Sequence, residues 1–226
     1  MMLMRIITLV FFGLNLVCAE TDSAKRLRDA SAVIREIMET PDQAIPQDLL
    51  DRAECAVVAP GVKKAAFIVG ARYGKGYISC RNKDGPGWTA PGTVRIEGGS
   101  FGFQIGGSET DVVMLVLNSR GADRLLSSKF TIGAGASIAA GPVGRTTKAQ
   151  TDALLTAQIL SWSRSRGVFA GVSLQGATLR QDLDDNRELY GKALTNRAIT
   201  QKRTPIPEAA KEFVSLLNKY SSRKTR

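Results

Sequence analysis

The sequence predicts an α+β fold: a curved, glycine-rich, mainly antiparallel sheet or partial barrel with N- and C-terminal helices. Three observations lead there. Most of the 22 glycines fall after Ala56, among apolar β-formers. Glycine within strands marks bulges, bends and close backbone approaches, which suit a strongly curved sheet. Apolar stripes of helical period occupy the two ends, at 22–39 and 207–220. Between them, Val112 to Leu117 is apolar on both faces, as a central strand requires.

The elements follow in order. Residues 1–19 read as an export signal: Arg5 supplies the charge, Ile6 to Leu16 the apolar run, and Val17-Cys18-Ala19 the small-residue cleavage site. From Asp22 to Glu39 a helix places Leu27, Ala30, Ile34 and Ile37/Met38 on one face. Lys25, Arg26, Arg28, Arg35 and Glu36 lie mostly opposite, and Pro41 ends it. Such a helix packs on its own domain or lies in a membrane interface, and a face without Trp or Phe favours the first. A short second helix spans Pro46 to Cys55. Strands are expected at Ala65–Ala71, Tyr77–Arg81, Ser100–Gly106, Asp111–Asn118, Thr131–Ile138, Ala157–Ser163 and Val168–Leu174. Phe101, Phe103 and Ile105 share one strand face, and Gly106 to Thr110 is a hairpin loop between two strands. Gly121 to Ser127 forms a short helix. Pro207 opens the last helix, striped with Ala210, Phe213, Val214, Leu216 and Leu217. The chain thus divides into a signal peptide (1–19), a single domain (20–220) and a basic disordered tail (221–226).

Composition narrows the function. The formal net charge is +10, and removal of 1–19 takes away one cation (Arg5) and no acid, leaving +9. That excess favours anionic partners. There is no histidine, which excludes Ser-His-Asp and Cys-His catalysis and every histidine metal site. Beyond the signal, two cysteines remain, Cys55 and Cys80. In an exported chain an even count permits a disulfide, and two small buried thiols are the alternative.

The glycine-rich segments do not match nucleotide-binding motifs. Gly70-Ala71-Arg72-Tyr73-Gly74-Lys75-Gly76 has three residues between its first glycines, where a P-loop needs four, and strand-like residues follow. It reads as a β-turn that presents Arg72 and Lys75. Gly98 to Gly102 lacks the dinucleotide pattern and reads as turn and bulge. Asp182, Asp184, Asp185 and Glu188 lack the glycine and final glutamate of a calcium loop, and fit a helix N-terminus. Neither a cofactor nor a metal is expected, and no acid/base pair marks an enzyme.

Several segments follow one another in a distinctive order. Pro60-Gly61-Val62-Lys63-Lys64-Ala65-Ala66-Phe67-Ile68-Val69-Gly70 leads into the loop above. Gly87-Trp88-Thr89-Ala90-Pro91 and Gly102-Phe103-Gln104-Ile105-Gly106 come next. Ala140-Gly141-Pro142-Val143-Gly144-Arg145, Ser165-Arg166-Gly167-Val168-Phe169-Ala170-Gly171 and Tyr190-Gly191 complete the set. In this order and spacing the chain, from about Leu49 to Leu217, closely resembles the SYLF domain family. The resemblance implies a non-catalytic α+β module that binds phospholipid, with actin binding in some eukaryotic members.

The residues point the same way. Basic sets lie at Lys63, Lys64, Arg72 and Lys75; at Arg145, Lys148, Arg164 and Arg166; and at Lys202-Arg203 with the tail. The expected lipid-binding cations are Lys63, Lys64, Arg72, Lys75, Arg145 and Arg166, each near a glycine that lets backbone approach a phosphate. Aromatics make up only 6% of the chain, so nucleic acid is not an expected partner. The expected partner is an anionic phospholipid or membrane surface. The alternative is an envelope structural or interaction protein that takes a protein partner along a sheet edge.

Overall fold

The computed structural model describes residues 20–221, apart from 41, 43, 134–136, 144–156, 166, 173, 175 and 203; the side chains of 66–69 and 100–106 are also outside the description. The expected signal peptide, Arg145, Lys148, Arg166, Arg203, the 222–226 tail and the shared face of Phe101, Phe103 and Ile105 therefore lie outside what is described.

Two very long strands organise the sheet. Strand β1 runs Cys55–Cys80 and β2 runs Gly92–Val116, paired antiparallel from Cys55↔Val116 to Ile78↔Gly92. A straight strand of 26 residues would span about 85 Å. Yet the Cα atoms of Cys55 and Cys80 lie 3.9 Å apart, and their sulfurs are bonded. The ribbon is therefore folded over, its open end beside its loop end. Register shifts at Ala59/Val62 and Ala66/Ile68 mark where the pairing yields.

This corrects three expectations, the third being the turn and bulge read at Gly98 to Gly102, which lie within β2. The turn at Gly70–Gly76 does not form, and β1 continues through it. The glycines there serve close packing instead: a Cβ on Gly76 would stand 2.4 Å from the Val58 carbonyl oxygen and 2.6 Å from the Ala59 Cα. Nor do Gly106 to Thr110 form a hairpin loop. They pair with Val62 to Ala66 in an unbroken β2, as the residues of Gly98 to Gly102 pair with the other half of β1. One strand replaces two in each case, because contacts from the far half of the ribbon stabilise an extended backbone that local glycine content disfavours.

Five shorter strands complete a seven-stranded half-barrel: β3 (Lys129–Thr131), β4 (Ile138–Ala140), β5 (Ile159–Ser165), β6 (Val168–Gly171) and β7 (Thr178–Gln181). Thr131–Ile138 is thus two strand ends rather than one strand. The far edge of β2 carries β5 along 111–116 and β7 along 94–97. Strand β3 lies outside β7, and β4 (parallel) and β6 (antiparallel) lie outside β5. The 112–116 stretch is central and buried on both faces, as its composition predicts.

Among the described residues six α-helices pack around this sheet: α1 (Asp22–Glu39), α2 (Gln47–Arg52), α3 (Ser119–Leu125), α4 (Leu183–Tyr190), α5 (Asn196–Gln201) and α6 (Lys211–Tyr220). None among the described residues is long and apolar enough to cross a membrane. Helix α1 starts where Thr21 accepts a hydrogen bond from the Ala24 N–H. It buries Leu27, Ala30, Val33, Ile34 and Ile37 against β1 and α6, so its apolar face is covered. Alternation along the strands builds two cores. Ala56, Val58, Val113 and Leu115 face the helices with Tyr77, Trp162 and Phe213; Val57, Met114, Ile78 and Ile96 fill the curl with the disulfide. Ser221, just after α6, is fixed by the buried Arg81. Its guanidinium donates to the carbonyls of Leu50 (2.8 Å), Ala53 (3.0 Å) and Ser221, and stacks over Trp88 at 4.1 Å.

Candidate functional site

A groove of about 710 Å³ separates α1 from the β1–β2 ribbon. Its cations are Lys25, Arg26, Lys63, Lys75 and Arg164, and its acids Asp22, Asp29, Glu109 and Asp111. Most of these charges are already matched. Lys25 pairs with Asp29 at 2.9 Å and Arg26 with Asp185 at 2.6 Å. Arg164 holds Asp111 at 2.5 Å, reaches Glu36, and lies over the Phe169 ring. Lys63 faces Glu109 across the ladder but forms no ion pair among the described residues.

The expected cations therefore separate. Lys75 is committed to the fold, 2.7 Å from Asp185 and 3.1 Å from Asp182. Both acids sit at the start of α4, where Asp182 accepts from the Asp185 N–H as the N-cap. Burial alone would raise the Asp182 carboxyl. Hydrogen bonds from Lys75 and the Asp185 N–H, with the charges of Lys75 and Arg95, outweigh it and hold the group below its ordinary range. Burial likewise opposes the Lys75 charge, and its two carboxylate partners raise its pKa nonetheless. Burial lowers the Arg72 pKa, with no partner to offset it. Asp111 shifts the other way: its burial, with Glu109 and Asp29 nearby, raises it against a hydrogen bond from the Gly61 N–H.

Lys63, Lys64 and Arg72 have no carboxylate partner among the described residues. They cannot form one flat face, because adjacent side chains on a strand point to opposite sides. Lys63 lines the groove with Lys75; Lys64 and Arg72 do not. No cluster of three or more metal-ligating side chains occurs among the described residues. Sequence reading missed the Arg164–Asp111–Glu36 group and the tie between Lys75 and the acids of α4, since these partners lie far apart in the chain.

Comparison with known proteins supplies the family. The model for "Ysc84: Las17-binding protein actin regulator" matches residues 97–220. Protein YSC84 of Saccharomyces cerevisiae is 35% identical over 189 residues, covering 82% of this chain and 40% of that protein. The SH3 domain-containing YSC84-like protein 1 of Homo sapiens is 30% identical over 202 residues, 87% of this chain and 58% of that protein. SH3 domain-containing protein PJ696.02 of Schizosaccharomyces pombe is 37% identical over 180 residues, 78% of this chain and 41% of that protein. The chain thus spans roughly two fifths to three fifths of these relatives' length. With more than half of its residues matched by the family model, inside a curled half-barrel closed by helices at both ends, the chain belongs to the Ysc84 (SYLF) family.

Proposed function

We propose that this chain is a non-catalytic binding module that attaches to anionic phospholipid surfaces after export. The observation that carries this reading is the set Lys63, Lys64 and Arg72. These three cations lie on one folded ribbon and have no carboxylate partner among the described residues, in a chain of net charge +9 once residues 1–19 are removed. Each cation close to an anionic membrane contributes about 1 kcal/mol. Export is supported by the charged and apolar start of the sequence and by the bonded Cys55–Cys80 pair, which persists in oxidising compartments.

The test is flotation with phosphatidylcholine vesicles, with and without phosphatidylglycerol. The K63A/K64A/R72A variant should lose about 1–2 kcal/mol of binding to the anionic vesicles, since adjacent cations on a strand do not all reach one surface together, and salt should weaken the wild type in the same way. Lys75 stays in place, since its removal would break the fold's own ion pairs. Flotation that ignores lipid charge, or a folded triple variant that floats as the wild type does, would reject the reading. A second reading has its own support: relatives carry names such as LAS seventeen-binding protein 3, and the family model is described as an actin regulator. A protein partner added along a sheet edge would bind with little dependence on lipid or salt.

A further inference from the structure

The register aligns four cations in a single row across the sheet. Lys75 stands opposite Arg95, Arg95 opposite Arg180, and Arg180 opposite Lys129. Directly opposed side chains share a sheet face, and like charges so placed repel. Compensation fades along the row. Lys75 has Asp182 and Asp185; Arg95 has Asp182 at 3.4 Å; Arg180 has Glu97 at 3.3 Å; Lys129, exposed, has no carboxylate partner among the described residues. The row ends beside α3, which carries Arg120 and Arg124 one turn apart. That spacing is also repulsive. The acid between them, Asp123, is engaged by Arg197 of α5 at 3.3 Å. Arg120, Arg124 and Lys129 thus border one shallow cradle of about 810 Å³, lined also by Asp123, Ser119 and Thr131.

We propose that this cradle is a second anionic site, selective for ligands that carry phosphate monoester groups. Three exposed cations border it, and the acid that also lines it, Asp123, is shared with Arg197, so the cradle keeps an excess of positive charge that an anionic ligand would offset. A phosphate monoester carries about −1.5 to −2 and three acceptor oxygens, against −1 for a carboxylate. Two arginine forks suit its oxygens in bidentate pairs, with Lys129 as a point charge. The group could arrive on a free phosphorylated small molecule or as a lipid head group such as phosphatidate. The cradle shares no residue with the Lys63, Lys64 and Arg72 set, so the two proposals stand or fall separately.

The experiment has two arms. Calorimetric titration with fructose 1,6-bisphosphate reports the free ligand, and flotation on phosphatidylcholine vesicles with phosphatidate, against phosphatidylglycerol at matched charge, reports the lipid. R120A/R124A should lose bisphosphate binding about tenfold or more while melting as the wild type does. R120K/R124K should restore only part of it, and K63A/K64A/R72A should bind the bisphosphate unchanged. Preference for phosphatidate would add the lipid source; binding of the bisphosphate alone would assign the site to free ligands. The proposal is overturned if the wild type neither binds the bisphosphate nor prefers phosphatidate, or if the ribbon variant loses bisphosphate binding and R120A/R124A keeps it.

Discussion

Removing the Cys55–Cys80 bond tests the folded-over ribbon directly. The bond joins residues 25 apart in sequence, at the two ends of one strand. In the chain-entropy relation a closed loop of that length restricts the unfolded chain by about 12 cal/mol/K, or about 3.5 kcal/mol at 25 °C. For a domain of this size that corresponds to a fall of about 7–14 °C in melting temperature. The native state should change little, because the Arg81 N–H still donates to the Glu54 carbonyl at 2.7 Å and the Glu54 N–H to Val116 at 2.7 Å, beside the lost bond. The assay is urea unfolding of oxidised wild type, thiol-reduced wild type and C55A/C80A. The reduced protein isolates the loss of closure, while the alanines add a small cavity at two buried sites. Both should unfold at lower urea, with a steeper slope because the unfolded chain is freer to expand. If the reduced protein keeps the oxidised midpoint, the bond does not close the native strand and the proposed curl is wrong.

Three further predictions address other parts of the fold. Gly76→Ala should cost about 3 kcal/mol or more, seen as a lowered thermal midpoint, because the new methyl would meet backbone atoms of Val58 and Ala59 that cannot rotate away. Asp182→Asn should cost about 3 kcal/mol at pH 7, since it leaves Lys75 and Arg95 short of a buried carboxylate. The wild type's advantage over that variant should be full above the ordinary carboxylate value of 3.8 and vanish as pH falls through the depressed value of Asp182, because a lowered folded pKa stabilises only the ionised form. Deleting residues 207–226 should abolish cooperative unfolding by circular dichroism, as it strips Phe213, Val214, Leu216 and Leu217 from the helical core and exposes the inner face of α1.

What the sequence determined by itself is what short-range periodicity encodes. The bounds of α1, the stripe of α6, the two-faced apolar stretch at 112–116 and the N-terminal acids of α4 follow from spacing of 3.6 or 2 residues and from capping chemistry. The ordered glycine segments were enough to place the chain in its family. Only the tertiary structure decided that Gly70–Gly76 and Gly106–Thr110 are strand, because the partners that hold them extended lie across the ribbon. The same holds for Lys75, which looks like a free cation beside a glycine until α4 brings Asp182 and Asp185 to it. It holds again for Lys75, Arg95, Arg180 and Lys129, spread over more than a hundred residues and aligned by register alone. Charge can be counted in a sequence, but which charges meet depends on pairings between distant segments, and those pairings set whether a cation supports the fold or remains open to a ligand.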